Sequence, residues 1–157
     1  MPPGRYQARI KTGAAVETQP FNVLIDPRIA ADGVTQADLQ EQFEHNMRMR
    51  ELVSSVNELV RRVREGKNKV QSDLHGVVSL IEQELVTEPV RYGKPGLQAQ
   101  ITYLASMTAN VDQKIGRDAI ERYEVLKGEL KFLRTHIDAL LGPATKTTTD
   151  GGQQSPP

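Results

Sequence analysis

Three histidines, His45, His75 and His136, are the side chains of this sequence best suited to chemistry, because imidazole serves as acid, base or metal ligand near neutral pH. Each falls on a different predicted helix, the arrangement from which a metal site inside a helical bundle would be built. Di-iron bundles draw Glu-x-x-His from two of their helices, and none of the three histidines has a glutamate three residues before it; Glu41 stands four before His45. His75 and Glu82, seven residues apart, can share a face, but one such pair is common by chance. The spacing predicts surface histidines, with no metal and no other cofactor. The absence of cysteine from the sequence excludes disulfides and thiolate metal sites.

Two other groups invite a chemical reading. Asp26, in Asp26-Pro27-Arg28-Ile29, is an acid at the end of a strand; its carboxylate is placed to accept amide hydrogens of the turn or to pair with Arg28, so a junction clip is expected there. Arg48, Arg50, Arg61, Arg62, Arg64, Lys67 and Lys69 form the one basic concentration. Glu51, Glu58 and Glu65 interrupt it and no aromatic residue stands among the bases for stacking, so a solvated helix face is expected and not a nucleic-acid surface. The sequence has no Gly-rich phosphate loop, no Gly-x-Ser-x-Gly and no His-Glu-x-x-His. Paired carboxylates of the glycosidase kind need a cleft that a regular helical bundle rarely supplies. No catalytic, cofactor-binding or metal-ligating residue is therefore assigned.

Whole-chain properties agree with a binding or structural role. Twenty basic and twenty acidic residues cancel, which leaves no net field to attract nucleic acid, an anionic membrane or an acidic substrate. A length of 157 residues with 38% hydrophobic content suffices for one core. No apolar run approaches the roughly 18 residues that span a bilayer. The first residues lack the apolar stretch of a signal peptide, so any export address would belong to a part upstream.

The elements that would carry these residues are mostly helical. Between residues 119 and 140, Ala119, Tyr123, Leu126, Leu130, Leu133, Ile137 and Leu140 follow at alternating steps of four and three, the pattern of a seam that faces partner helices. This last helix is expected to organise the others. Ahead of them, Tyr6, Ala8 and Ile10 alternate with polar residues as in a half-buried strand, Thr12 to Ala15 reads as a reversal, and residues 16–25 form a second strand with Phe21, Val23 and Ile25 on one face. Pro20 makes that strand an edge or bulges it there. An isolated hairpin is marginal in water, so this one either lies on the helices or is the end of a truncated sheet; Pro-Gly-x-Tyr enters the first strand without preamble, which favours the truncated sheet. Thr35-x-x-Asp38 then resembles a capping box and opens a long helix over residues 36–65. Its stripe begins with Leu39, Phe43 and Met47, then shifts phase to Met49, Leu52, Val56, Leu59 and Val63. Gly66 weakens or breaks it. A second helix carries Val70, Leu74, Val77, Val78, Ile81 and Leu85, with Gly76 expected to allow close helix approach. Leu97, Ile101, Leu104 and Val111 mark a third, and Gly116 separates it from the last.

The motifs Pro3-Gly-Arg-Tyr-Gln-Ala-Arg-Ile10, Gln19-Pro-Phe-Asn-Val-Leu-Ile-Asp-Pro-Arg-Ile29 and Thr35-Gln-Ala-Asp-Leu-Gln-Glu-Gln-Phe43 together resemble the C-terminal region of glycosyl-hydrolase-like proteins with BNR-repeat, sortilin-type β-propellers. In that family an immunoglobulin-like segment follows the propeller and ends through Asp-Pro-Arg, here Asp26-Pro27-Arg28, before a helical region. Ile81-Glu82 with Leu85, and Pro95-x-Leu97 with Leu104, resemble its later helix motifs, whereas Ile115-Gly116-Arg117 replaces a Pro-Thr turn. The resemblance runs from Pro3 to about Leu141 and includes no propeller blade. It implies a mainly α module: a β-hairpin remnant of an immunoglobulin-like sandwich over residues 1–30, an antiparallel bundle of three to four helices over 35–142, and a disordered tail over 143–157. The implied role is non-catalytic, with the upstream propeller or sandwich of the same parent as partner; the alternative is a self-associating helical adaptor, a homo-oligomer.

Overall fold

Gly13 lies at φ +60° and Ala14 does not share that left-handed backbone, the combination of a two-residue type II′ turn, whose twist suits a hairpin. On either side of it, strands β1 (Gly4–Thr12) and β2 (Ala15–Val23) pair antiparallel from Thr12↔Ala15 out to Gly4↔Val23. The computed structural model describes residues 1–67 and 69–143. The expected tail over 143–157 therefore lies, beyond Pro143, outside the described residues.

This register sets Tyr6 opposite Phe21, with ring centroids 5.9 Å apart, and puts Ala8, Ile10 and Val23 on the same face. That face is not half-buried as the alternation suggested: Ile10 is 65% and Phe21 42% exposed. No Cα of either strand comes within 8 Å of a helix. Among the described residues the sheet has two strands, so Pro20 does lie on an edge, but β2 ends at Val23, short of Ile25. The chain turns there because Pro27 opens a single helical turn, α1 (Pro27–Ala31), capped by Asp26.

Thr35 and Asp38 form the expected reciprocal cap. The Asp38 amide donates to Thr35 Oγ1 at 3.1 Å, and the Thr35 amide donates to Asp38 Oδ2 at 2.9 Å. From this cap α2 runs without interruption from Gln36 to Lys67. Its buried residues are Leu39, Gln42, His45, Met49, Leu52, Val56, Leu59, Val60 and Val63, one continuous stripe at steps of three and four. The phase shift expected near Met47 is absent. Phe43 is 40% exposed, and the seam positions it seemed to hold belong to the polar Gln42 and His45, which a count of apolar residues passes over.

Three further long helices cover this stripe: α3 (His75–Leu85), after a 3₁₀ turn at Ser72–Leu74, then α4 (Leu97–Ala109) and α5 (Arg117–Leu141). The fold is thus a hairpin followed by a helical bundle. Gln42 of α2 meets Thr108 at the far end of α4, while Asn57 meets Gln98 near its start, so these helices are antiparallel. Gly116 caps α5 and turns it back along α4, where Arg122 bonds Gln100. In α5, Tyr123, Leu126, Leu130 and Ile137 are buried, as their spacing predicts, but against the other helices of the same chain. The organising element is α2, which packs on α3, α4 and α5 alike. Val111 lies beyond the end of α4 and is exposed; Thr108 takes the buried position instead.

The glycines divide by what surrounds them. Gly66 does not break α2; a Cβ there would overlap the Leu141 side chain, so this is where α5 comes close. Gly76, expected to serve that purpose, has nothing within 4 Å of a Cβ position, and neither has Gly128 in α5. At Gly96 a Cβ would stand 2.6 Å from the Val86 carbonyl carbon. In urea unfolding, Gly128→Ala in the interior of α5 should therefore stabilise the chain by about 1 kcal/mol and Gly76→Ala in the first turn of α3 by less, whereas Gly96→Ala should destabilise it. A destabilised Gly76→Ala would contradict this placement of α3.

Candidate functional site

The N-terminal half of α2 carries an unusual density of buried polar groups. Gln42 Nε2 donates to the carbonyls of Thr108 at 2.8 Å and Val111 at 2.6 Å, and Asn46 Nδ2 donates to Thr108 O at 3.1 Å. The Gln113 amide returns a bond to Gln42 Oε1 at 3.2 Å. These contacts satisfy carbonyls that the end of α4 leaves without helical partners and hold the chain between α4 and α5.

One turn along, His45 is fully buried, with no partner for either ring nitrogen. Its ring meets the edge of Tyr123 at 5.8 Å, and the Tyr123 ring in turn carries Arg48 at 5.7 Å and Lys127 Nζ at 5.4 Å. Burial, reinforced by Arg48 and partly offset by Glu41, pushes the imidazole below its ordinary range. His45 is therefore a neutral core residue, which corrects the expectation of three surface histidines. His75 and His136 are exposed and face carbonyls of nearby backbone, Val70 O at 3.1 Å and Phe132 O at 2.9 Å. The three histidines are not brought together, and among the described residues no group of three or more His, Asp or Glu could hold a metal ion.

Above the polar seam, α2 and the base of the hairpin enclose an open cleft of about 800 Å³, lined among others by Pro3, Val23, Asp26, Leu39, Phe43 and Asn46. Asp26 closes its rim as the expected clip: Oδ1 accepts from the Arg28 amide at 2.8 Å and Oδ2 from the guanidinium at 2.7 Å, holding the carboxyl at about 2. Gln36 ties the hairpin to α2 through Pro3 O at 3.0 Å. Bonds from Thr35 lower Asp38, and Lys67, with Arg64, lowers Glu82. These three carboxylates are held ionised, the opposite of what prepares a general acid near neutral pH.

Three of the bases at the end of α2, Arg62, Arg64 and Lys67, join helices. Arg61 pairs with Glu58 and Glu65, Arg64 and Lys67 both reach Glu82 of α3, and the mostly buried Arg62 bonds Asp138 and the Gly142 carbonyl at the end of α5. The acids interleaved with the bases, Glu58 and Glu65, pair with Arg61 within α2, whereas the helix-joining partners Glu82 and Asp138 lie far along the sequence on α3 and α5 and leave no local signal. No protein-family model, curated protein or solved structure matches this chain.

Two outcomes follow. Removing Arg62 leaves a C-terminal carbonyl and a carboxylate without their partner, so Arg62→Ala should cost about 1–3 kcal/mol in urea unfolding, and no loss would show that the α2–α5 clasp is not formed. Because the folded His45 resists protonation, the unfolded chain binds the extra proton as pH falls below about 6.5, and stability should drop with pH by up to about 1.4 kcal/mol per unit. Above that pH the effect is absent. His45→Leu should flatten the slope between about pH 6.5 and 5; an unchanged slope would assign it to another group.

Proposed function

We propose that this chain is a non-catalytic structural and interaction module which docks to a larger partner through its hairpin and the cleft beneath. The observation that carries this reading is a hairpin with nine residue pairs and an exposed apolar face, standing off the bundle. Two strands alone are marginal in water and three or more with a covered face are not, so the hairpin has its natural complement in another sheet. The resemblance of residues 3–43 to the end of the immunoglobulin-like segment in BNR-repeat, sortilin-type propeller proteins supports a neighbouring sandwich or propeller of the same parent as that complement.

The side chains with the best claim to chemistry support the absence of catalysis. His45 is sealed in the core, Asp26 is tied to Arg28, and Arg62, Arg64 and Lys67 of α2 join helices. Self-association through the α5 seam has less support, since that seam is covered within the chain.

The gene upstream of Met1 tests the parentage: an open frame running into propeller-type repeats is expected, and an in-frame stop immediately before Met1 overturns it. Incubation of the purified chain with aryl glycosides should give no hydrolysis above the blank. Hydrolysis that copurifies with the chain would overturn the non-catalytic assignment.

A further inference from the structure

The two outer edges of the hairpin are not equivalent. Thr12 and Ala15 flank the two-residue turn and form a hydrogen-bonded pair, so the hydrogen-bonded pairs alternate outward as Ile10↔Glu17, Ala8↔Gln19, Tyr6↔Phe21 and Gly4↔Val23. The intervening residues turn their amides and carbonyls away from the partner strand. On β1 these are Arg5, Gln7, Arg9 and Lys11; on β2 they are Val16, Thr18, Pro20 and Asn22. Pro20 has no N–H and interrupts the β2 edge at its middle, whereas β1 offers an unbroken row of donors and acceptors.

Charge separates the edges further. Arg5, Arg9 and Lys11 project from one face of β1, and none of them makes an ion pair among the described residues. The strand residues on that face, which also include Gln7, Val16, Thr18, Pro20 and Asn22, contain no acid. The opposite face carries Tyr6, Ala8 and Ile10 on β1 and Phe21 and Val23 on β2, with Gln19 and Glu17 opposite Ala8 and Ile10. A second copy is a poor occupant: with β1 laid antiparallel on β1 in full overlap, Arg5 of each copy would stand opposite Lys11 of the other, and like charges directly opposed destabilise a sheet.

From this edge we infer that β1 receives a third strand from the partner, an extended segment whose acidic residues lie over Arg5, Arg9 and Lys11 and whose alternate, apolar residues continue the Tyr6–Ile10 face. This inference rests on the interaction-module reading and names the partner's chemistry. Backbone bonds supply the pairing and the alternation supplies its direction of facing.

A capped nine-residue peptide alternating glutamate with valine, titrated into the full chain and followed by amide NMR, tests it. Saturable binding should slow exchange at the amides of Arg5, Gln7, Arg9 and Lys11 and leave Val16, Thr18 and Asn22 unchanged, and raising salt to about 1 M should weaken it about tenfold. Gln7→Pro, which removes one outward donor and no hairpin bond, should weaken binding at least about tenfold, and Thr18→Pro should not. A peptide N-methylated at the amides facing β1 should lose binding equally and leaves the chain itself unaltered. Protection on the β2 edge, equal binding of a lysine–valine peptide, β1 protection by self-association alone, or no saturable binding below about 1 mM would each overturn the inference. The parentage would survive those results, because it is decided by the upstream reading frame; a stop before Met1 together with β1 binding would instead remove the parent and keep the docking edge.

Discussion

Covering one face of α2 is the constraint on which the rest of the structure depends. The stripe from Leu39 to Val63 is too long for one short partner, so α4 lies antiparallel along it, α5 runs beside it and α3 closes its far end. At roughly 25 cal/mol per Å² of apolar surface, this burial is the main favourable term available to the bundle. The polar contacts set where each partner stops. Gln42 and Asn46 share the Thr108 carbonyl near the end of α4, Arg62 holds the Gly142 carbonyl just past α5, and Gly66 leaves room for Leu141. His45 is the exception, since its ring is buried without partners and so opposes folding as it gains charge.

The hairpin obeys none of this logic. It buries little, Phe21 of its aromatic pair is exposed and Tyr6 only half-buried, and its ties to the bundle are local ones at its base: Gln36 to Pro3, and the Asp26–Arg28 clip ahead of α2. The strand pair carries Tyr6, Ala8, Ile10, Phe21 and Val23 on one face and Arg5, Arg9 and Lys11, among neutral residues, on the other. The difference in covered surface predicts a lower local stability for the hairpin than for the bundle.

Much of this was readable from spacing. The alternation of three and four in α5, the Thr35–Asp38 cap, the Gly13 reversal and the Gly116 boundary each rest on local rules that tertiary packing did not override. Reading failed where polar residues took core positions. Gln42 and His45 continue the α2 stripe, but a pattern counted in apolar residues skips them, which produced a false phase shift and a surface assignment for His45. Gly76 and Gly66 were exchanged in role because close approach depends on which helix lies opposite, and that is not a local property. The exposed state of the hairpin is equally non-local, since alternation shows which side chains share a face and not whether anything covers it. For the candidate site, the clip at Asp26 was legible, while the cleft and the Gln42–Thr108 contacts join residues far apart in sequence and left no periodic trace.

Native-state hydrogen exchange on the isolated chain tests the central claim most directly, because it compares hairpin and bundle in one molecule. If the hairpin awaits a partner, the cross-strand amides of Tyr6, Ala8, Ile10 and Phe21 exchange through local opening with little protection, while those of Leu52, Val56 and Leu59 exchange only with global unfolding. Hairpin amides as strongly protected as those of α2 would show a self-sufficient element and contradict the account.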